Sequence, residues 1–134
     1  MGYCIEMVEC TASIDADKTQ EILTQLQKYI EENKPNWGWV STKYLIDACM
    51  ENDFKGVIDE LRYAVKLQVQ NNKKVYALEF IGEKLGDDQK VFDILSPFMN
   101  DGYIEMMGED GDIWRWVFKN GEMQTKRPSI IWDN

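Results

Sequence analysis

Carboxylates are the side chains of this sequence with the most evident capacity for chemistry. Asp87 and Asp88 are adjacent, and Glu109, Asp110 and Asp112 lie close together in a second group. Paired carboxylates can act as general acid and base in glycoside hydrolysis, but that reaction needs two groups that converge across a cleft. Adjacent residues diverge, and the second group lacks the alternating carboxylates and terminal glutamate of an EF-hand. We therefore predict neither a catalytic residue nor a metal site.

The sequence contains no histidine. This absence removes the commonest general base and the commonest zinc ligand, and it excludes Ser-His-Asp, Cys-His and HExxH chemistry. Cys4, Cys10 and Cys49 make an odd count without a CxxC pair, so neither a disulfide framework nor a zinc knuckle is indicated. Cys49 is expected to be an inert thiol, since no histidine can activate it. We expect a protein that is not an enzyme and that needs no cofactor.

Negative charge is concentrated in one part of the chain. The 134 residues include 24 acids and 15 bases, a formal net charge of −9. Residues 79–112 contain ten acids and two bases, whereas the rest of the chain contains 14 acids and 13 bases. A local surface of this kind attracts basic protein surfaces and repels nucleic-acid phosphates. Three interpretations remain open: a solvated face of caps and turns, a docking surface for a basic partner, and, as the least favoured, a metal-binding loop at residues 109–112.

The docking interpretation assigns partner contacts to acids of this segment and to two tryptophans. Trp37 and Trp39 lie in a predicted loop, where aromatic side chains either cover the core or anchor a partner. Trp114 and Trp116 share one face of a predicted strand and are expected to pack in the core rather than to stack on nucleic-acid bases. The predicted partner-binding residues are Glu105, Glu109, Asp110, Asp112, Asp87, Asp88, Trp37 and Trp39.

The hydrophobic pattern predicts the elements that position these residues. The expected strands are 3–8, 74–81, 103–107, 112–119 and 122–126. The expected helices are 16–33, 42–50, 54–67 and a fourth after Gly86. Their expected N-caps are Asp15, Ser41, either Asn52 or Asp53, and either Asp87 or Asp88. Asp110-Gly111 and Asn120-Gly121 are hairpin signals. We predict one α+β domain over residues 1–134, with helices on one face of a mostly antiparallel sheet of about five strands and a C-terminal β-meander.

The sequence also carries expectations about location. Its apolar runs are too short to cross a membrane, and the N-terminus lacks the basic and apolar regions of a signal peptide. We therefore expect a soluble, cytoplasmic protein with no membrane partner.

A turn and a strand near the end of the chain carry a resemblance. Gly108-Glu109-Asp110-Gly111 is followed by the aromatic strand Trp114-Arg115-Trp116-Val117-Phe118, and the stretches 78–84, 87–98 and 103–105 add to it. Together they cover about residues 74–121 and resemble small stand-alone proteins of bacteria and their mobile elements. The resemblance implies a compact α+β sheet domain and transfers no catalytic residue. By size and acidity alone, the chain is also similar to immunity proteins and phage-encoded inhibitors that occupy basic nucleic-acid-binding grooves.

These observations predict a non-enzymatic, acidic protein-binding module. Its partner would be a protein with a basic, nucleic-acid-binding surface, on which the module acts as an inhibitor or immunity factor, and direct nucleic-acid binding is not expected. The alternative is a small-ligand or divalent-metal-binding protein, or an enzyme that uses carboxylates, with Trp37 or Trp39 lining a pocket.

Overall fold

The computed structural model describes residues 2–133, and within this range the chain forms seven β-strands and four α-helices. The strands are β1 (Ile5–Cys10), β2 (Ser13–Asp15), β3 (Tyr63–Gln70), β4 (Lys73–Phe80), β5 (Gly102–Gly108), β6 (Ile113–Lys119) and β7 (Glu122–Lys126). The α-helices are α1 (Thr19–Asn33), α2 (Thr42–Met50), α3 (Phe54–Glu60) and α4 (Asp88–Leu95). None of these described helices has the length and apolar character needed to span a bilayer.

The strands form two antiparallel sheets instead of the single sheet that the sequence predicts. The first sheet has the order β1-β5-β6-β7, and the second has the order β2-β4-β3. The N-terminal segment belongs to both sheets, because β1 pairs with β5 and β2 pairs with β4. Helices pack on one side of the first sheet, so the α+β class and the C-terminal meander are confirmed.

The predicted third helix is wrong in its second half. The helix ends before Arg62, whose φ is 71°, and the chain then continues as β3. Val65 fits the helical spacing, but it fits the alternation of a strand equally well. Asn71 and Asn72 have φ of 52° and 63°, the two positive values that a type I′ turn requires, and β4 returns along the full length of β3. Cross-strand pairing therefore outweighs the helical pattern here.

Two of the four predicted helix caps are confirmed, at Ser41 and Asp53, and no side-chain capping hydrogen bond forms at Asp15 or Asp87. Ser41 Oγ accepts from the N–H of Tyr44 at 3.1 Å, and Asp53 Oδ1 accepts from the N–H of Gly56 at 3.0 Å. Asp15 makes no capping hydrogen bond. Its carboxylate instead accepts from the Asn100 side chain at 2.9 Å and from Lys73 at 3.1 Å, and these contacts hold its pKa below the ordinary value. Asp15 therefore precedes the short 3-10 helix Ala16–Lys18, but its side chain joins β2 to its neighbours instead of capping that helix.

Aromatic side chains connect α4 to both sheets. Trp114, Trp116 and Phe118 are buried on the inner face of β6, as predicted. The Phe92 ring of α4 lies 5.1 Å from the Trp116 ring and 5.9 Å from the Phe118 ring, measured between centroids. It also lies 5.2 Å from the ring of Tyr63 in β3. One side chain of α4 thus packs against both sheets at once.

Candidate partner-binding site

Pairing of β1 with β5 places acidic side chains on the outer side of the first sheet. The register sets Glu9 directly opposite Glu105, and it sets Glu6 opposite Met107, two positions further along β5. Side chains alternate across a strand, and the intervening residues of β5 are buried in the core, so these three glutamates share the solvent-facing side. The exposed β5–β6 turn continues the negative surface. We define the acidic stripe as Glu6, Glu9, Glu105, Glu109 and Asp110.

A hydrogen-bonded network holds the two glutamates that face each other across β1 and β5. Like charges directly opposite on antiparallel strands repel. The Tyr103 hydroxyl donates to Glu9, and Arg115 Nε donates to Glu105 at 2.7 Å. The Arg115 guanidinium lies 3.9 Å from the centroid of the Tyr103 ring, so one cation and one phenol link both carboxylates. The hydrogen bond to Glu9 raises the pKa of Tyr103.

Contacts with the N-terminal segment hold the β5–β6 turn. The Tyr3 hydroxyl donates to Asp110, which lowers the pKa of Asp110 and raises that of Tyr3 to about 12. Glu109 Oε1 accepts from the N–H of Cys4 at 3.1 Å. The carboxylates of this turn are therefore engaged by protein donors. Across the described residues, no three Cys, Asp or Glu side chains are grouped so that they could hold a metal ion.

The predicted residues at the start of α4 occupy different environments. Asp87 Oδ2 accepts from Trp39 Nε1 at 2.7 Å and remains exposed. Asp88 is only 2% exposed, and its carboxylate accepts from the Tyr63 hydroxyl and from the N–H of Gly86, each at 2.7 Å. Burial raises the pKa of Asp88, although both hydrogen bonds oppose the shift. Asp88 thus lies inside the protein, out of reach of a partner surface.

The remaining predicted partner-binding residues also lie in different environments. Trp37 is buried and stacks on Tyr29 with ring centroids 5.9 Å apart, so it covers the core. Trp39 is partly exposed and lies between Asp87 and the Arg62 guanidinium, which is 5.5 Å from its ring. Asp112 pairs with Arg127 through both carboxylate oxygens, at 3.2 and 3.3 Å. The structure therefore places Glu105 on β5 and Glu109 and Asp110 in the turn that follows it, and it brings Asp87 into contact with Trp39.

Sequence reasoning missed Glu6 and Glu9. Both lie far from residues 79–112 along the chain, and they join that segment only through the pairing of β1 with β5. A count of charges along the sequence contains no such signal. The alternation of Glu6 with apolar neighbours in a predicted first strand was the available indication, but it did not reveal which strand would lie beside it.

A cleft of about 570 Å³ lies between the start of α4 and the inner side of β6 and β7. Trp114, Trp116 and Met123 supply apolar surface to it, and Asp87, Lys90 and Arg127 supply charged groups. Tyr3 also lines the cleft while it contacts the acidic stripe through Asp110. The cleft and the stripe therefore adjoin at the β5–β6 turn. The volume falls within the range of sites that bind small ligands or single side chains.

Comparison with protein-family models, with curated proteins and with solved structures finds no match to this chain. The resemblance of residues 74–121 to small bacterial α+β proteins therefore stays a prediction.

Proposed function

We propose that this chain is a non-enzymatic binding protein that docks on a basic surface of a partner protein through the acidic stripe. The observation that carries the proposal is the pairing of β1 with β5, which adds Glu6 and Glu9 to the carboxylates of the β5–β6 hairpin. Glu6, Glu9 and Glu105 share one solvent-facing side, the exposed turn adds Glu109 and Asp110 at its end, and Arg115 pairs with Glu105.

The charge of the stripe suits a partner that binds nucleic acid. Glu6 and Glu9 lie along β1, and Glu105 lies opposite Glu9 on β5, so these carboxylates concentrate negative charge on one side of the sheet. A nucleic-acid backbone is an array of negative charge, and its binding proteins meet it with Lys and Arg. An acidic sheet face can occupy such a basic surface and exclude the nucleic acid from it. This supports a role as an inhibitor or immunity factor.

Hydrogen bonds fix several carboxylates of the stripe in position, and this order also supports docking. The network of Tyr103 and Arg115 fixes Glu9 and Glu105, and Tyr3 fixes Asp110. Side chains that are already ordered lose less conformational entropy when a partner binds. The carboxylates of the stripe that form no ion pair within this protein then attract the basic partner protein. The distance over which they attract it shortens as the salt concentration rises.

Charge reversal of two stripe residues tests the proposal. Glu6→Lys with Glu109→Lys is expected to weaken binding of an immobilised arginine-rich peptide about ten-fold or more at low salt, and to reduce the salt dependence. These positions leave the Arg115–Glu105 and Tyr3–Asp110 contacts in place. Binding is measured by biolayer interferometry across a salt series, and circular dichroism verifies that the variant is folded.

The matched control reverses Glu31 and Glu32, two exposed residues of α1 that lie outside the stripe. Glu31→Lys with Glu32→Lys changes the net charge by the same amount, and we expect it to retain most of the binding. If both double variants lose the same affinity, overall charge rather than the stripe explains the binding, and the proposal fails. The same pair of variants, used as bait in a lysate, distinguishes specific partners from proteins that bind any acidic surface.

A further inference from the structure

An apolar segment that follows β7 lies in solvent. Ile130, Ile131 and Trp132 are consecutive, and they are 82%, 84% and 86% exposed. Single exposed apolar side chains are common, but a contiguous apolar patch on a folded protein marks an interaction site. We define the exposed segment as residues 128–133. Its three large side chains are buried by no element of the described chain, so they are available to bind another surface.

The second sheet ends in an edge strand that is open to solvent. β3 is the outermost strand of this sheet, and within residues 2–133 it pairs only with β4. Val65, Leu67 and Val69 share one face of β3, and Leu67 and Val69 are 58% and 71% exposed. Natural edge strands are usually protected by proline, by bulges or by several charged residues. β3 has a continuous register, no proline and one charged residue, Lys66, so an extended segment can add to it as a further strand.

The exposed segment and the exposed half of β3 lie at opposite ends of one molecule. The segment begins beside the β5–β6 turn, where Arg127 pairs with Asp112. β1 begins at this turn, at Ile5, and β2 ends at Asp15, level with the exposed half of β3. The largely extended chain between them spans on the order of 30 Å, whereas the three residues from Arg127 to Ile130 span about 10 Å. A second copy of the chain is therefore the source of a segment that reaches β3.

Charge complementarity favours the same arrangement. Residues 61–78 include the β3–β4 hairpin and contain four bases and no acid, although the whole chain has a net charge of −9. Lys66 and Lys73 pair with acids of their own chain, and Lys74 takes part in no ion pair among the described residues. The exposed segment carries Asp133 and begins beside the acids of the β5–β6 turn. Two copies in antiparallel orientation bring the acidic end of each to the basic hairpin of the other.

The surface available for this contact is large enough for a stable dimer. The three apolar side chains of the exposed segment, together with Leu67 and Val69, expose on the order of 700 Å² in each copy. Two reciprocal contacts would therefore remove up to about 1,400 Å² of surface from water, and stable interfaces bury about 1,200–2,000 Å².

We propose that two copies of this chain form a dimer in which the exposed segment of each copy adds to β3 of the other. Side chains alternate along a strand, so Ile130 and Trp132 share one face of the added segment and pack against Leu67 and Val69. The same contact occurs twice in a two-fold dimer, which leaves neither β3 edge open.

Sedimentation equilibrium of the full chain tests this dimer. The wild-type protein is expected to have about twice its chain mass of 15.7 kDa at micromolar concentration. Leu67→Lys and Trp132→Lys each place a charge in both contacts, and each is expected to raise the dissociation constant of the dimer at least about ten-fold. Both positions are exposed, so the fold should be retained, and circular dichroism verifies this.

Met50→Lys is the matched control, because Met50 is a similarly exposed apolar residue of α2 outside both surfaces. We expect it to leave the dimer intact. A monomeric wild-type protein would overturn the proposal, and so would equal weakening by all three variants. A dimer that depends on Leu67 but not on Trp132 would indicate direct pairing of two β3 strands, which also contradicts it.

Contacts between copies can be observed in a mixture of ¹³C-labelled and unlabelled protein. Isotope-filtered NOE spectra are expected to show the Trp132 ring close to methyl groups of Leu67 or Val69 of the other copy. Their absence from a dimeric sample would overturn the proposal, as would a monomeric protein that binds phosphatidylcholine vesicles through Trp132. Leu67 and Trp132 lie outside the acidic stripe, so self-association and peptide binding are tested with different variants and either proposal can fail alone.

Discussion

Replacing Phe92 by alanine is expected to lower the free energy of unfolding by about 3–5 kcal/mol. Phe92 is 1% exposed, and its ring contacts Tyr63 of the second sheet as well as Trp116 and Phe118 of the first. Truncation therefore opens a cavity where three aromatic rings meet, and those rings belong to separate sheets that cannot close the gap together. The loss would be a large fraction of the stability of a domain of this size.

Urea denaturation followed by circular dichroism measures this effect as a lower midpoint at an unchanged slope. Phe98→Ala is the matched control, because it removes the same atoms from a partly exposed position just after α4. We expect it to cost about 1–2 kcal/mol. Equal losses for the two variants would show that Phe92 does not join the sheets, and an unfolded Phe92→Ala can be replaced by Phe92→Leu, for which a smaller loss is expected.

Local turn chemistry explains which parts of the fold were predictable. Asn120 and Gly121 have φ of 53° and 77°, the values that a two-residue type I′ turn needs, and the hairpin forms where the sequence predicts it. Asp110-Gly111 also marks a hairpin, with a longer turn between Gly108 and Ile113 than the signal suggests. Short-range signals of this kind survive in the fold because they involve only neighbouring residues.

Long-range pairing explains what the sequence did not predict. The helical spacing of Val57, Leu61 and Val65 predicts a helix that extends into residues 63–67, whereas the strand that forms there is stabilised by its pairing with β4. The acidic stripe likewise depends on β1 lying beside β5. Asp87 and Asp88 look equivalent in sequence, but only the fold places one at the surface and the other against Tyr63.

The buried carboxylate of Asp88 makes the stability of this protein depend on pH in an identifiable way. Burial raises its pKa above the ordinary value of 3.8, so the folded state holds the proton more tightly than the unfolded state does. The stabilisation from this group is fully present below the ordinary pKa and is lost as pH rises through the raised, folded-state pKa. Asp15 and Asp110 act in the opposite sense, because their lowered pKa values give stabilisation that is lost as pH falls.

Asp88→Asn isolates the contribution of the buried carboxylate. The amide oxygen can accept from the N–H of Gly86, and the amide N–H can donate to Tyr63, whose hydroxyl is both donor and acceptor. Since the variant carries no charge to bury, its free energy of unfolding relative to wild type is expected to rise as the pH increases from the ordinary pKa of 3.8 through the raised pKa of the folded state. The terms from Asp15 and Asp110 are common to both proteins and cancel in this difference.

Urea titrations of both proteins at several pH values measure that difference. Asp59→Asn, which removes an exposed carboxylate, should show a difference from wild type that stays constant with pH. A constant difference for Asp88→Asn as well would mean that burial does not perturb Asp88. A difference that rises with pH would show that the charged form of Asp88 destabilises the folded protein. The two oxygens of Asp88 nevertheless accept from Tyr63 and Gly86, and these hydrogen bonds hold the start of α4 where it meets the second sheet.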